Sequence, residues 1–519
     1  MEGRTANSLR NLKYGLLNTL MTSLLPFITR TVFIRVLGRD YLGVDSVFLN
    51  VINLLDIVNI GIGSAITYSV YKPIAQGNTE KCRTLFRLYR LCYCMIGAIV
   101  FVAGLCLLPF LDGILKNKPN IPESIYAIYL IILFGAASGY FFADKQCILN
   151  AHQQGYIISK TRMAVICVIN VVEIVLLLLT RQYLVYLAVQ TCQNLAINII
   201  VHIKAKKLYP QFFGGRVEPL EKSDRQTIVK NTVALIFNRA GSLIINCTDS
   251  LIISSQVGVG SSGLYSNYLV LKNMVNTFTS MFTQSLTASI GNLNASDRDK
   301  TRLAQVFSQT YFINYLLHSF CAVCLFCLME PFIFLWVGEE YCMGVPIAAI
   351  VTANFYFLGV QKTAEQFKSA CGLYWQDRYR VFIEAMMNLV ISLILVRSLG
   401  VLGVLLGTLI SNLCVTFWVE PLIVFKHDLN RPVMPFLLKN LLYALLTAVV
   451  TWAIWTVDML LFPTYGGIGQ FILRAALTAL LAVAVLCALF FRTAEFKATW
   501  ALGMKILNPF LKRLGVGKR

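Results

Sequence analysis

The sequence predicts an all-α integral membrane protein of about fourteen transmembrane helices, set as two parallel-repeat six-helix lobes around a central cavity plus two extra C-terminal helices. Three observations lead there. Apolar residues make up 57% of the 519, and the mean hydropathy is +0.68. Charged residues are only 13%, about half of the roughly 25% usual in soluble domains. Lys and Arg gather in alternate connections between the apolar runs, as cytoplasmic loops do.

Composition also excludes several classes. A soluble chain of this length needs a charged surface to stay dispersed, and this one lacks it. The formal charge of +20 sits between apolar runs and not in one basic domain, so it suits loops on anionic membrane lipid and not nucleic acid. The opening MEGRTANSLRNLKYG is basic and polar. The long apolar run after it has no small-residue cleavage site, so it reads as a retained first span. Most of the fifteen cysteines lie inside apolar runs, among them Cys94, Cys106, Cys167 and Cys414, which is not the pattern of a disulfide framework.

The expected spans are, in order, 16–37, 44–71, 88–111, 124–149, 163–180, 183–203, 231–254, 263–290, 306–329, 345–371, 380–398, 400–425, 436–458 and 470–491. Very short turns join spans five and six and spans eleven and twelve, which forces antiparallel neighbours. With the N-terminus in the cytoplasm, 34 Lys and Arg fall in inside connections and six outside. The inside set includes Lys81, Arg83 and Arg87 in the second connection, and Lys368, Arg378 and Arg380 in the tenth. One span too many or too few would scramble that alternation, so both termini of a multi-pass membrane protein are expected in the cytoplasm. The longest connection, 204–230, has no room for a soluble catalytic domain. No Gly-x-x-x-x-Gly-Lys motif is present. The expectation is therefore a transporter and not an enzyme, without cofactor, driven by an ion gradient, the membrane potential or the substrate gradient.

Residues 36–49, VLGRDYLGVDSVFL, compare with 256–269, QVGVGSSGLYSNYL. At an offset of 220, Gly38 matches Gly258, Gly43 matches Gly263, Ser46 matches Ser266, Leu49 matches Leu269 and, further on, Asn53 matches Asn273. The offset equals six spans plus the longest cytoplasmic connection. Six is even, so the two copies keep one orientation, a plan in which two bundles rock about a central cavity. The expected division is 1–215, 216–430 and a third part, 431–519, with two additional helices and a basic tail.

Three sets of segments resemble one known family: TRTVFIRVLG at 29–38 with YLGV at 41–44 and GIGSAITYSVYKPIA at 61–75; TDSLIIS at 248–254 with GLYSNY at 263–268; and CGLYWQDRYR at 371–380. Together they resemble the Wzx-like polysaccharide flippases of the MOP (multidrug/oligosaccharidyl-lipid/polysaccharide) exporter superfamily, over most of residues 1–425. The resemblance implies two six-helix lobes that open inward and outward in turn. It also implies export of undecaprenyl-pyrophosphate-linked oligosaccharide for cell-surface polysaccharide, with glycosyltransferases of the same pathway as partners.

Ionisable groups within spans are costly against lipid, so they mark cavities or helix contacts. The basic candidates are Arg30, Arg239, Lys272 and Lys362. Arg30 and Arg239 lie on repeat-equivalent spans, and arginine grips phosphate oxygens bidentately, so all four are candidates for the pyrophosphate. The competing readings are ion pairs of Arg30 with Asp45 or Asp56 and of Arg239 with Asp249, a snorkelling Lys272, and Lys362 at a cytoplasmic mouth. Asp249, Asp56, Glu173 and Glu384 are the candidates for Na⁺ or proton coupling, Asp249 first because it lies in the TDS segment beside Asn246 and Thr248, against capping or bridging of helices. Pro26, in mid-span, and Gly61 and Gly63 are candidate hinges, against plain packing. CAVCLFC at 321–327 mimics a metal motif, but no fourth ligand or His cluster accompanies it. The rival functions are a lipid II flippase, a drug antiporter with an anionic aromatic cavity, and a membrane polysaccharide polymerase or ligase, which would carry a large external loop.

Overall fold

The computed structural model describes residues 2–55, 69–70, 73–74, 76–115, 121–140, 144–152, 154–213, 226, 247–296, 300–370, 373, 376–377 and 379–501. Among them no strand occurs. The chain forms two compact units, Met1–Ser266 and Asn267–Arg519.

The first unit holds α1 (Glu2–Leu37), α2 (Arg39–Leu55), α3 (Thr79–Cys106), α4 (Ile125–Ser138), α5 (Asp144–Ala151), α6 (Gly155–Thr180) and α7 (Tyr183–Leu208). Residues 247–252 are helical and run into a π turn, Ile253–Val257, before α8 (Val259–Ser296) begins. Helix α1 packs along α6, and α7 along α4 and α6. The centre is aliphatic and aromatic: Phe48 meets the edge of Tyr129 at 5.3 Å, and Ile197, Val201 and Val165 close the gap between α6 and α7.

The second unit holds the rest of α8 with α9 (Lys300–Val337), α10 (Val345–Ala370), α11 (Arg380–Leu399), α12 (Val401–Cys414), α13 (Thr416–Val424), α14 (Met434–Leu461) and α15 (Ile468–Phe490). Helix α9 is its spine and touches α10, α14 and α15. Lipid tails are as apolar as leucine, so helices in a bilayer associate through close packing and internal polar contacts. Both are present here. Tyr315 stacks on Tyr443 at 4.1 Å, Tyr311 donates to Asn440 Oδ1 at 2.9 Å, and the Ser319 and Thr447 hydroxyls lie 2.9 Å apart.

Helix α14 states the environment most directly. Leu438, Leu441, Leu445, Val449 and Trp452 recur at helical spacing and are all exposed. The opposite face, with Asn440, Tyr443, Thr447 and Asp458, is buried. Large apolar residues point outward and polar ones inward, the inverse of a water-soluble helix.

Among the described residues nine helices are long and apolar enough to cross a membrane. They answer nine of the fourteen expected spans. Expected spans two, four and seven fall partly outside the described residues, and the fourth is described as two pieces, α4 and α5. Spans eight and ten form long helices, α8 and α10, that are too polar to pass as lipid-facing. Asn267 and Ser262 on α8 and Asn354, Gln361 and Thr363 on α10 are buried. The Asn354 amide donates to Leu405 O at 3.2 Å, and Gln361 bonds Asn412 at 2.9 Å.

The junctions follow backbone chemistry. Helix α1 ends at Gly38, whose φ of 88° only glycine adopts cheaply, and its amide returns to Ile34 O at 3.0 Å. The π turn ends the same way at Gly258, φ 143°, with its amide on Ile253 O at 2.9 Å. These two corners are 220 residues apart, the offset of the sequence repeat. The two expected tight hairpins are also present. Helices α6 and α7 turn at Arg181, φ 54°, and α11 and α12 at Gly400, φ 58°.

Candidate functional site

In the first unit, polar side chains from α1, α2, α6, α7 and the start of α8 converge. Arg30 is carried on the last third of α1, in a helix that runs unbroken through Pro26. Its Nη2 donates to Ser266 Oγ at 2.5 Å, and that hydroxyl donates to Gly263 O at 2.6 Å. Asp45 on α2 and Tyr186 on α7 lie within electrostatic reach of the guanidinium. Tyr183 donates its hydroxyl to Asp45 Oδ1 at 3.1 Å. Phe33, one turn beyond Arg30, sits against both tyrosines with centroids at 5.7 and 5.1 Å. Next to it, Thr29 donates to Asn170 Oδ1 at 2.6 Å and so ties α1 to α6.

Glu173 lies one turn beyond Asn170 on α6, and it is 3% exposed. It feels Asp45, and its Oε1 has no hydrogen-bond partner among the described residues. A buried polar atom left open in this way costs stability unless water or a ligand completes it. Arg30, Asp45 and Glu173 thus give one cation and two carboxylates among the aromatic rings of Phe33, Tyr183 and Tyr186 and the uncharged polar groups of Thr29, Asn170 and Ser266. That arrangement can hold an anion against the guanidinium or a small cation against the carboxylates.

The remaining candidates are distributed differently. Asp249 is buried in the first unit, with Tyr265 and Cys247 in its field. Lys272 and Lys362 belong to the second unit, where Lys362 reaches Ser280 Oγ at 3.4 Å. Arg239, Asp56, Gly61 and Gly63 lie outside the described residues.

Glu384 occupies a site of its own in the second unit, unlike that of Glu173. Thr416 Oγ1 donates to its Oε2 at 2.5 Å, Arg380 stands 3.3 Å from the same oxygen, and Asn412 Nδ2 donates to Oε1 at 3.2 Å. Arg380 also pairs with Asp377 at 2.6 Å and Glu420 at 2.9 Å, while Lys368 pairs with Asp377 at 2.5 Å and Glu420 at 2.7 Å. Five charged groups therefore share one buried network. Lys368 and Arg380, expected from the sequence as loop cations against lipid, are instead interior residues at the facing ends of α10 and α11. Their signal in the sequence was the acid–base alternation of QDRYR at 376–380, beside a Glu420 buried in an apolar run.

Arg474, a further basic residue within an expected span, is 1% exposed on α15 and pairs with Asp458 on α14. Tyr183 and Tyr186 have no sequence signal of their own, and Ser266 stands out only as the repeat match of Ser46. Only the fold brings them to Arg30. Among the described residues no group of three His, Cys, Asp or Glu is placed to hold a metal ion.

Comparisons with known proteins fit this architecture. The family described as polysaccharide biosynthesis protein matches residues 8–290. The uncharacterized membrane protein EpsK of Bacillus subtilis (strain 168) is 24% identical over 375 residues, 67% of this chain and 68% of that protein. Among solved structures, the lipid II flippase MurJ in an inward closed conformation superposes with a TM-score of 0.63 at 13% identity, over 93% of this chain and 100% of that one. An inward-facing multidrug resistance MATE family transporter of the MOP superfamily gives 0.60 at 12%, over 78% and 94%. The Vibrio cholerae MATE transporter VcmN in its bent form gives 0.53 at 14%, over 83% and 98%. At these identities the structures speak for the fold alone. The family match spans more than half of the chain, and so this multi-pass, all-helical membrane protein with a MATE- and MurJ-like fold belongs to the polysaccharide biosynthesis protein family.

Proposed function

We propose that the chain flips an undecaprenyl-pyrophosphate-linked oligosaccharide from the inner to the outer leaflet of a bacterial plasma membrane. The observation that carries this reading is Arg30. A guanidinium set among Phe33, Tyr183 and Tyr186 and held by Ser266 is a cation kept inside an apolar bundle. Such a group is retained where it meets an anion, and a lipid pyrophosphate is an anion that must cross this layer.

In this reading Arg30 takes the pyrophosphate, with Arg239, Lys272 and Lys362 as further cationic contacts, while the polyprenyl tail stays in lipid. Lobes over 1–215 and 216–430 alternate in access, with Pro26, Gly61 and Gly63 at the bending points and 431–519 as two accessory helices and a cytoplasmic tail. Both termini face the cytoplasm, and glycosyltransferases of the same pathway supply the cargo. Coupling to Na⁺ or a proton falls to the membrane carboxylates. Of Glu173, Asp249, Asp56 and Glu384, Glu173 suits it best, because its Oε1 is open whereas both oxygens of Glu384 are taken.

A second reading, lipid II as cargo, is favoured by the MurJ likeness over 93% of this chain. One experiment separates them. In a strain lacking this chain, surface polysaccharide and lipid-linked oligosaccharide on each leaflet are measured with the wild type and with Arg30→Ala. The expected result is restoration by the wild type and accumulation on the inner leaflet with Arg30→Ala at normal membrane abundance. Full export with Arg30→Ala removes the head-group site. Rescue of a strain short of lipid II flippase, with no effect on surface polysaccharide, selects the second reading.

A further inference from the structure

The first unit contains a cavity of about 570 Å³, walled by α2, α3, α4 and the turn after it, α5, α6 and α7. That volume falls within the range of small-molecule sites, about 300–1,000 Å³. Its lining is unusual for the interior of a membrane protein. It is rich in carboxamides and tyrosines, and Arg162 is the one charged group among its described lining residues.

Part of the amide set is internally satisfied. Gln146 Nε2 donates to Asn198 Oδ1 at 2.7 Å, and Asn198 Nδ2 donates to Gly139 O at 2.6 Å. The side chains of Asn53, Asn150, Gln193 and Asn194 line the same space, and none of them hydrogen-bonds another described residue. Asn53, Asn150 and Asn194 are exposed, so their amides are available to water or a ligand in that space. On the α3 wall, Tyr89 and Tyr93 stack at 4.5 Å with their hydroxyls 3.1 Å apart, and Tyr140 tilts against Tyr93 at 6.2 Å.

These groups select one chemistry. A polyphosphate needs several cations, and a cationic drug needs a carboxylate; the described lining offers one cation and no carboxylate. A sugar hydroxyl donates and accepts at once, and a carboxamide does the same through its two ends. The faces of tyrosine rings suit the C–H face of a pyranose.

The cavity adjoins the Arg30 cluster. Asp45, Leu49 and Ile52 recur on one face of α2, the first beside Arg30 and the other two in the cavity wall. Gln190, also in the wall, reaches the Tyr186 hydroxyl at 3.5 Å. We propose that this cavity is a saccharide subsite, which holds the neutral, hydroxyl-rich sugars next to the pyrophosphate of a lipid-linked cargo. The proposal rests on the lipid-linked reading above and adds where the sugar is recognised and by what.

The test uses the purified full chain in lipid nanodiscs. Three undecaprenyl-pyrophosphoryl disaccharides, begun by N-acetylglucosamine, glucose or galactose, are titrated against bare undecaprenyl pyrophosphate. At least one glycosylated lipid is expected to bind about tenfold more tightly than the bare lipid. The Asn150→Leu/Asn194→Leu double variant loses that preference while its affinity for the bare lipid and its melting temperature stay as in the wild type. If the double variant does not fold, Gln193→Leu alone reads a smaller loss of about threefold. No preference in the wild type, or a preference retained in a folded variant, overturns the sugar subsite and leaves the lipid-linked reading standing. Absence of binding by every lipid, bare or glycosylated, overturns both.

Discussion

Gly43 and Gly263 pack backbone against backbone. A Cβ built on Gly263 would stand 2.8 Å from the Gly43 nitrogen and 2.8 Å from Arg39 O, and one built on Gly43 would stand 2.2 Å from Val259 O. The pairs are related by the repeat: 43 and 263 are 220 residues apart, and so are 39 and 259. Each copy therefore presents the same glycine to the same position of the other, a self-complementary crossing of α2 with the start of α8.

Gly43→Ala is expected to lower the thermal stability of the purified protein by about 1–3 kcal/mol, because the clash is with a carbonyl that no rotamer change relieves. Gly15→Ala is the control. Nothing lies within 4 Å of its Cβ, and alanine in a helix gains up to about 1 kcal/mol over glycine. A fluorescence melting series reads both signs, and an unchanged melt for Gly43→Ala would remove the crossing as a structural constraint.

This crossing also marks how far the sequence could be read. The matched glycines, the corners at Gly38 and Gly258 and the two hairpins were legible, because glycine spacing and hydropathy report backbone events. The nine apolar spans were legible for the same reason. Side-chain partnerships were not. Glu173 and Glu384 fall in expected spans five and eleven, the fifth of each six-span lobe, yet one has an open oxygen and the other is enclosed by Arg380, Asn412 and Thr416. Periodicity tells which face of a helix is inward. It does not tell which distant residue meets it there, and so Lys368 and Arg380 read as loop charges while Tyr183 and Tyr186 did not stand out.

Arg474 and Asp458 offer a second test. Nε and Nη2 of the arginine approach Asp458 Oδ2 at 2.7 and 2.5 Å, and the two side chains are 1% and 2% exposed. Removing one partner strands a buried charge, so Asp458→Ala is expected to cost about 3–5 kcal/mol. The double variant Asp458→Leu/Arg474→Met should recover most of that loss, since an apolar pair of similar volume carries no desolvation penalty. Lys439 and Glu495, also 2.7 Å apart, are about a third exposed, and Lys439→Met should change stability by less than about 1 kcal/mol. Equal losses at the two sites would contradict the role assigned to burial.

The network around Glu420 predicts strong coupling. Lys368 and Arg380 share both Asp377 and Glu420. Losing either cation leaves the carboxylates partly paired, and losing both leaves them bare. A double-mutant cycle on Lys368→Met and Arg380→Met should therefore depart from additivity by about 0.5–3 kcal/mol, with the double variant worse than the sum. Additive losses would mean that the two cations act on separate partners.

The last prediction concerns Glu173. Its carboxylate is buried and feels Asp45, and Oε1 has no partner among the described residues. Glu173→Gln keeps the shape and removes the charge. If the carboxylate carries the coupling ion, export driven by a gradient stops while binding of the lipid-linked cargo persists. An ion crossing with a membrane potential of 100 mV supplies about 2.3 kcal/mol, so the uncoupled variant should lose roughly fiftyfold in the gradient it sustains. Proteoliposomes with an imposed proton or Na⁺ gradient measure this. A structural role predicts the opposite split, with a changed melting temperature and a sustained gradient, because a neutral amide alters the helix contacts around it while the coupling ion binds elsewhere.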